Sequence, residues 1–219
     1  MNYLRNKYSL FLFTIFSIFV IIPIADILGL EYSLSLLLVT LVTILAIFTI
    51  YLSKKNRNIL VGITFFNLFT SLLSVSYDFN IVLYYLFNTI TLSIYAVLLT
   101  LLIVLHIKKL IKTTEVNFDM IKAGIIVYIL IGILWSLFYL IIYLYDVNAF
   151  SGTNEFPSIV GYYYSFTVLT TLGFGDILPV NSLAKGLTSM EAICGVIYIS
   201  IFVALLVGRL IKSSSRKRR

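Results

Sequence analysis

Charge is scarce in this chain. Asp, Glu, Lys and Arg make up 11% of its 219 residues, too little polar surface to cover a soluble globule. There is one cysteine, Cys194, and one histidine, His106. An intrachain disulfide is therefore excluded, and no His/Cys cluster with metal-ligand spacing occurs. With three prolines the chain has few helix breakers. No phosphate-binding glycine loop and no nucleophile constellation is found, so neither an enzyme nor a bound cofactor is expected. What the chain has in abundance is apolar surface: 61% hydrophobic residues and a mean hydropathy of +1.07. Those values belong to an integral membrane protein.

The apolar residues fall in long blocks rather than in short alternating strands, and each block approaches the roughly 20 residues that a spanning helix needs. This predicts an all-α membrane fold with six spans, at 9–28, 33–52, 58–77, 81–105, 121–145 and 184–211. Residues 1–105 form a four-helix peripheral bundle, 106–120 a cytoplasmic interfacial linker, 121–212 a second helical unit and 213–219 a basic cytoplasmic tail. The first block follows Arg5 and Lys7, as a signal sequence would, but its length and the lack of an A-x-A-like site favour an uncleaved helix. No stretch reads as a soluble ligand-binding domain.

The net charge of +7 does not point to nucleic acid. Arg5 and Lys7, then Lys54, Lys55 and Arg57, then Lys108, Lys109 and Lys112, then Arg209 and the tail Lys212, Arg216, Lys217, Arg218 and Arg219 fall at alternate ends of successive blocks. Asp26, Glu31, Asp78, Asp146, Glu155 and Asp176 fall at the opposite ends. By the positive-inside rule, a multi-pass protein of the cell membrane results, with both termini cytoplasmic and 146–182 extracytoplasmic. The basic excess reflects orientation, with membrane lipid as a partner and anionic-lipid contact at the tail a secondary reading.

Within that outer segment, IVGYYYSFTVLTT is apolar but too short to span, and it runs into TTLGFGD at 170–176. Pro157 suits the start of a short helix, and Gly173 and Gly175 end it. Irregular backbone at membrane depth is tolerated only where protein protects it or where it lines a water-filled path. Glycines at 173 and 175 allow successive carbonyl oxygens to turn toward one axis. One chain supplies a quarter of such a ring, and the motif occurs once, so three further copies in a homotetramer close it most simply. A dehydrated cation then exchanges water for carbonyl oxygens, while the C-terminal dipole of the short helix points at its route.

Thr171-Leu172-Gly173-Phe174-Gly175 resembles the T-V-G-Y-G selectivity filter of potassium channels of the pore-loop superfamily. The resemblance covers about the last hundred residues, in the order outer helix, re-entrant pore helix, filter, inner helix. It implies a passive potassium-selective channel with potassium as the permeant ligand. The Thr171 hydroxyl and carbonyl would make the innermost ion site, and the carbonyls of Leu172, Gly173 and Phe174 the next ones. Thr170 matches the first residue of the family's threonine pair and Asp176 its outer acid. Tyr162, Tyr163 and Tyr164 match its aromatic cuff. Leu172 replaces valine and Phe174 replaces tyrosine, so the bracing hydroxyl at the second position is missing. A non-selective cation channel and a non-conducting partner subunit of another channel are the alternatives. A secondary transporter is disfavoured, since its repeated halves would carry paired interruptions and this chain has one.

Apart from Asp26 at the end of the first block, Glu191 is the one carboxylate inside a span, at the depth of the short helix, and needs a partner or a proton there. Hydroxyls or backbone N–H groups behind the filter are the expected partners. Two roles are open, a pH-dependent brace for the filter and a structural hydrogen-bonded acid. Gly195 matches the family's inner-helix hinge glycine, and close packing through small residues is the competing reading.

Four helices ahead of a pore match the plan of voltage-gated potassium channels, yet the sensor arginines are absent. A sensor needs basic residues inside its fourth helix, each supplying about 2.3 kcal/mol per 100 mV. The fourth block, IVLYYLFNTITLSIYAVLLTLLIVL, contains none. Weak or absent voltage dependence is expected. His106 reads as an ordinary interfacial histidine. Asn67 and Asn88 read as interhelical hydrogen-bond sites and Trp135 as a packing or lipid-contact residue.

Overall fold

The computed structural model describes residues 2–28, 31–50, 52–76, 81–113, 116–153 and 155–217, with side chains left out at 2–6, 26, 31–34, 36, 73–76, 81 and 212–217. The charges expected at Arg5, Asp26, Glu31 and Asp78, and those of the tail from Lys212 to Arg219, lie outside the described residues.

Seven helices and one two-stranded ribbon make up the described chain. In order they are α1 (Asn2–Ile27), α2 (Glu31–Thr49), α3 (Lys54–Ser76), α4 (Ile81–Lys112), α5 (Phe118–Tyr145), β1 (Phe150–Ser151), α6 (Ser158–Leu169), β2 (Leu178–Pro179) and α7 (Ser182–Lys217). Each of the six expected blocks is a helix. Four of them, over Lys7–Ala25, Val82–Lys112, Phe118–Tyr145 and Ser182–Ile211, are long and apolar enough to cross a membrane. The described apolar part of α2 is the shorter Leu37–Thr49, and α3, which opens on Lys54, Lys55 and Arg57, is not among the four.

The segment read as a surface linker differs from that expectation in its first half. α4 continues to Lys112 instead of ending at 105, because its apolar periodicity persists through Ile107, Leu110 and Ile111. His106 consequently lies inside α4 and is buried. Its Nδ1 is 2.8 Å from the Leu102 carbonyl oxygen and its Nε2 2.8 Å from Thr49 Oγ1 on α2. Lys109 donates to the Thr49 carbonyl at 2.9 Å, with its ammonium over the Tyr8 ring. α5 starts where Asn117 caps it, the side chain accepting from the Met120 N–H at 2.8 Å, and Asp119 in the first turn suits the helix dipole.

α1 to α4 pack as consecutive neighbours, and α5 is the axis of the whole chain, touched by α1, α4, α6 and α7. Its buried positions lie all round the helix, from Met120 to Ile142, as expected for a helix enclosed by others. Asn67 donates to the Thr91 carbonyl from α3 to α4 at 3.1 Å, and Thr40 meets Tyr95 at 2.7 Å between α2 and α4. Neutral hydroxyls and amides thus join the bundle where a polar group would otherwise face hydrocarbon. Large apolar side chains such as Phe13, Val20, Phe66 and Val97 stand exposed on its outside, a surface suited to lipid.

Candidate functional site

The 170–176 stretch hangs from a closed frame. β1 pairs antiparallel with β2, Phe150 opposite Pro179, so the chain leaves and returns at one place. The frame is pinned further by Val180 N–H donating to the Ala149 carbonyl at 2.8 Å. Asn181 donates to Asp146 at 2.7 Å while its own oxygen accepts from the Ala184 N–H, which caps α7. Gly152 has φ +91, and a Cβ there would sit 1.7 Å from the Asp176 carbonyl oxygen, so a side chain would break the contact between frame and loop. Between the two strands lies α6, twelve residues or about 18 Å long, too short to cross a bilayer.

After α6 the backbone changes hand at every second residue: φ is +59 at Thr171, +54 at Gly173 and +78 at Gly175. Glycine meets no steric resistance in that region, whereas at Thr171 the conformation is held against its cost. The restraint is visible. Thr171 N–H donates to the Val168 carbonyl at 2.9 Å, and the N–H groups of Leu172 and Gly173 both donate to the Thr167 carbonyl, at 2.9 and 3.1 Å. Three successive donors turn back onto the last turn of α6, so they satisfy its orphan carbonyls. Thr170 Oγ1 adds a bond to the Phe166 carbonyl at 2.6 Å. All residues from Thr170 to Asp176 are exposed in the single chain.

The aromatic residues sort themselves by position along α6. Tyr163 stacks parallel to Phe174 at 6.3 Å and donates to Asp176 at 2.6 Å. That hydrogen bond holds the Asp176 carboxyl below the usual carboxylate range. Tyr163 thus ties both Phe174 and Asp176 of the loop to α6. Tyr164 points the other way, buried against Tyr139 and Phe150, with its hydroxyl 2.8 Å from Thr188 on α7. Tyr162 is buried too.

Behind the loop, Glu191 on α7 is fully buried. Tyr139 of α5 donates to its Oε2, and Ser165 Oγ of α6 stands 2.5 Å from its Oε1 and 2.7 Å from the Gly132 carbonyl oxygen of α5. The hydroxyl partners expected for Glu191 are therefore present, from two helices. Gly195 lies one turn further along α7. A Cβ there would come 2.1 Å from the Leu169 carbonyl oxygen, so α7 touches the end of α6 backbone to backbone. Tyr128 donates to that same Leu169 oxygen at 3.1 Å, and Tyr198 donates to the Gly124 carbonyl at 2.7 Å.

Sequence reasoning missed Ser165, Tyr139, Tyr128 and the notches at Gly124 and Gly132. Gly124 receives the Phe202 ring and Gly132 the Phe166 ring, each within 2.6 Å of where a Cβ would be. A signal existed: two glycines eight residues apart fall on one face of an otherwise bulky helix. Trp135 packs against Phe138 and Tyr139, as expected.

At the far end of α7, Arg209 donates to the Leu110 carbonyl at 3.0 Å and the Ile111 carbonyl at 2.8 Å. A guanidinium on the last carbonyls of α4 meets the negative end of that helix. It links the C-terminal part of α7 to the end of α4.

Residues 133–212 match the family model described as ion channel, and over that segment the chain is similar to ion channels. The match begins inside α5 and takes in α6, the loop and α7 as far as Lys212. No curated protein and no solved structure matches the chain.

Proposed function

We propose that this chain is the subunit of a homotetrameric, potassium-selective channel of the cell membrane, with α5 as outer helix, α6 as re-entrant pore helix, Thr171–Gly175 as filter and α7 as inner helix. One observation carries the reading: the positive φ values at Thr171, Gly173 and Gly175 alternate with ordinary ones while the N–H groups of residues 171–173 turn back onto α6. A backbone that alternates in this way sets its carbonyls along one side, and with the donors occupied behind, the oxygens are left for an ion. The exposure of the loop in a lone chain fits a surface that faces an axis shared with three more copies. The filter faces outward, both termini are cytoplasmic, and α1 to α4 form a peripheral bundle without sensor charges.

Ion flux through the purified protein in liposomes tests this. Potassium gradients are expected to drive flux that sodium does not replace, and Gly173→Ala, which forces a Cβ into a left-handed conformation costing about 1–2 kcal/mol in each of four subunits, is expected to abolish it. Equal passage of sodium would make the pore non-selective and assign the difference to Leu172 and Phe174. Silence of the wild type with an open gate would make the chain a partner subunit.

A further inference from the structure

The hydrogen bonds around Glu191 outnumber the protons that an ionised carboxylate leaves available. Ser165 Oγ lies 2.5 Å from Glu191 Oε1 and 2.7 Å from the Gly132 carbonyl oxygen, and both of these neighbours are oxygens. A serine hydroxyl has one proton and satisfies one of them. If Glu191 is a carboxylate, the remaining contact brings two lone-pair oxygens to hydrogen-bond distance with no hydrogen between them. If Glu191 is a carboxylic acid, every contact has its proton. Tyr139 O–H donates to Oε2, the acid O–H on Oε1 donates to Ser165, and Ser165 O–H donates to Gly132.

We infer that Glu191 is a protonated carboxylic acid whose proton completes a hydrogen-bond chain across α5, α6 and α7, making it a positioning residue for the helix that carries the 170–176 loop. The surroundings agree. The titratable groups that face it are Tyr128 and Tyr139 from α5 and Tyr164 from α6, and among the described residues no Lys, Arg or His side chain faces it. A buried carboxylate without a counter-charge at membrane depth is disfavoured, while a neutral acid with both oxygens paired is tolerated. The consequence is specific. Loss of this proton forces Ser165 to abandon either Glu191 or Gly132, so α6 is released from α7 or from α5.

The claim goes beyond the channel reading and its test does not depend on ion flux. The full chain is labelled with carboxyl-13C glutamate and serine carbon-13, reconstituted in lipid bilayers and studied by solid-state NMR at pH 7. The four glutamates are Glu31, Glu115, Glu155 and Glu191, and the Glu191 carbon is assigned in the wild type by its dipolar correlation to Ser165 Cβ. A resonance at the upfield position of a neutral acid is expected, shifting in Ser165→Ala as the proton loses its acceptor. A Glu191 resonance at the carboxylate position at pH 7 would overturn the inference and leave Ser165 as donor to Glu191. Failure of the channel reading would show in the flux assay and leave this spectrum unchanged.

Discussion

The two halves of α7 are built differently. Around Glu191 to Tyr198 one face is locked: a buried acid bonded to two helices, a glycine with no room for a methyl group, and a tyrosine donating into the α5 backbone. Toward the C-terminal end the contacts are looser: Phe202, Leu205 and Leu206 pack against the core while only partly buried, a Cβ added at Gly208 would meet nothing within 4 Å, and Arg209 ties the helix to α4. Packed interiors resist small displacements, whereas a sparsely contacted segment opens at low cost. The difference teaches that the helix is held most tightly beside the 170–176 loop and less tightly toward its C-terminal end.

Gly195→Ala attacks the locked half where it is tightest and carries the largest expected effect. A Cβ 2.1 Å from the Leu169 oxygen cannot be accommodated by a rotamer change, since the obstacle is backbone. Overpacking of this kind costs about 1–3 kcal/mol per site. Lower thermal stability and lost ion selectivity are expected together; altered opening with intact selectivity would favour the hinge reading of Gly195. Arg209→Gln probes the looser half. It removes the guanidinium fork from the Leu110 and Ile111 carbonyls, so open probability in single-channel records should change several-fold while the potassium-to-sodium ratio stays the same. A changed ratio would show that the two halves are not mechanically separate.

Tyr163→Phe sharpens the contrast at the 170–176 loop. The folded-state pKa of Asp176 is depressed by the Tyr163 hydroxyl, so the stabilisation is present above the ordinary carboxylate pKa and is lost as pH falls through the depressed one. Without the hydroxyl, Asp176 should titrate nearer its ordinary value, and acid-induced change in flux should begin at higher pH. An unmoved midpoint would leave Asp176 without a role there. The smallest effect is expected from voltage. The first Lys or Arg in α4 is Lys108, near its end, and Lys109 is held by Thr49 and the Tyr8 ring. The conductance–voltage relation should be nearly flat, and a steep one would move gating charge to residues outside α4.

Much of the architecture is legible in the chain alone. The run of apolar blocks marks the helices to within a few residues, except at the start of α1, the end of α7 and the end of α4, where the lysines at 108 and 109 read as an end although apolar residues follow them. The short helix after Pro157 and the loop with its two glycines are readable because backbone conformation is a local matter. Glu191 stands out as a carboxylate among apolar neighbours. Its partners do not, since Ser165 and Tyr139 are 26 and 52 residues away and look like ordinary polar residues of apolar helices. His106 reads as interfacial for the same reason, its partner Thr49 being 57 residues distant.

By itself, the sequence determined the solvent, the helices and the loop, because these follow from hydropathy and from which residues tolerate a left-handed backbone. Tertiary structure alone decided that Gly195 meets the end of α6, that Tyr163 donates to Asp176, and that one serine lies between a carboxyl and a carbonyl. Such contacts depend on how helices dozens of residues apart are set against one another, a matter of distances of a few ångströms that no local pattern encodes.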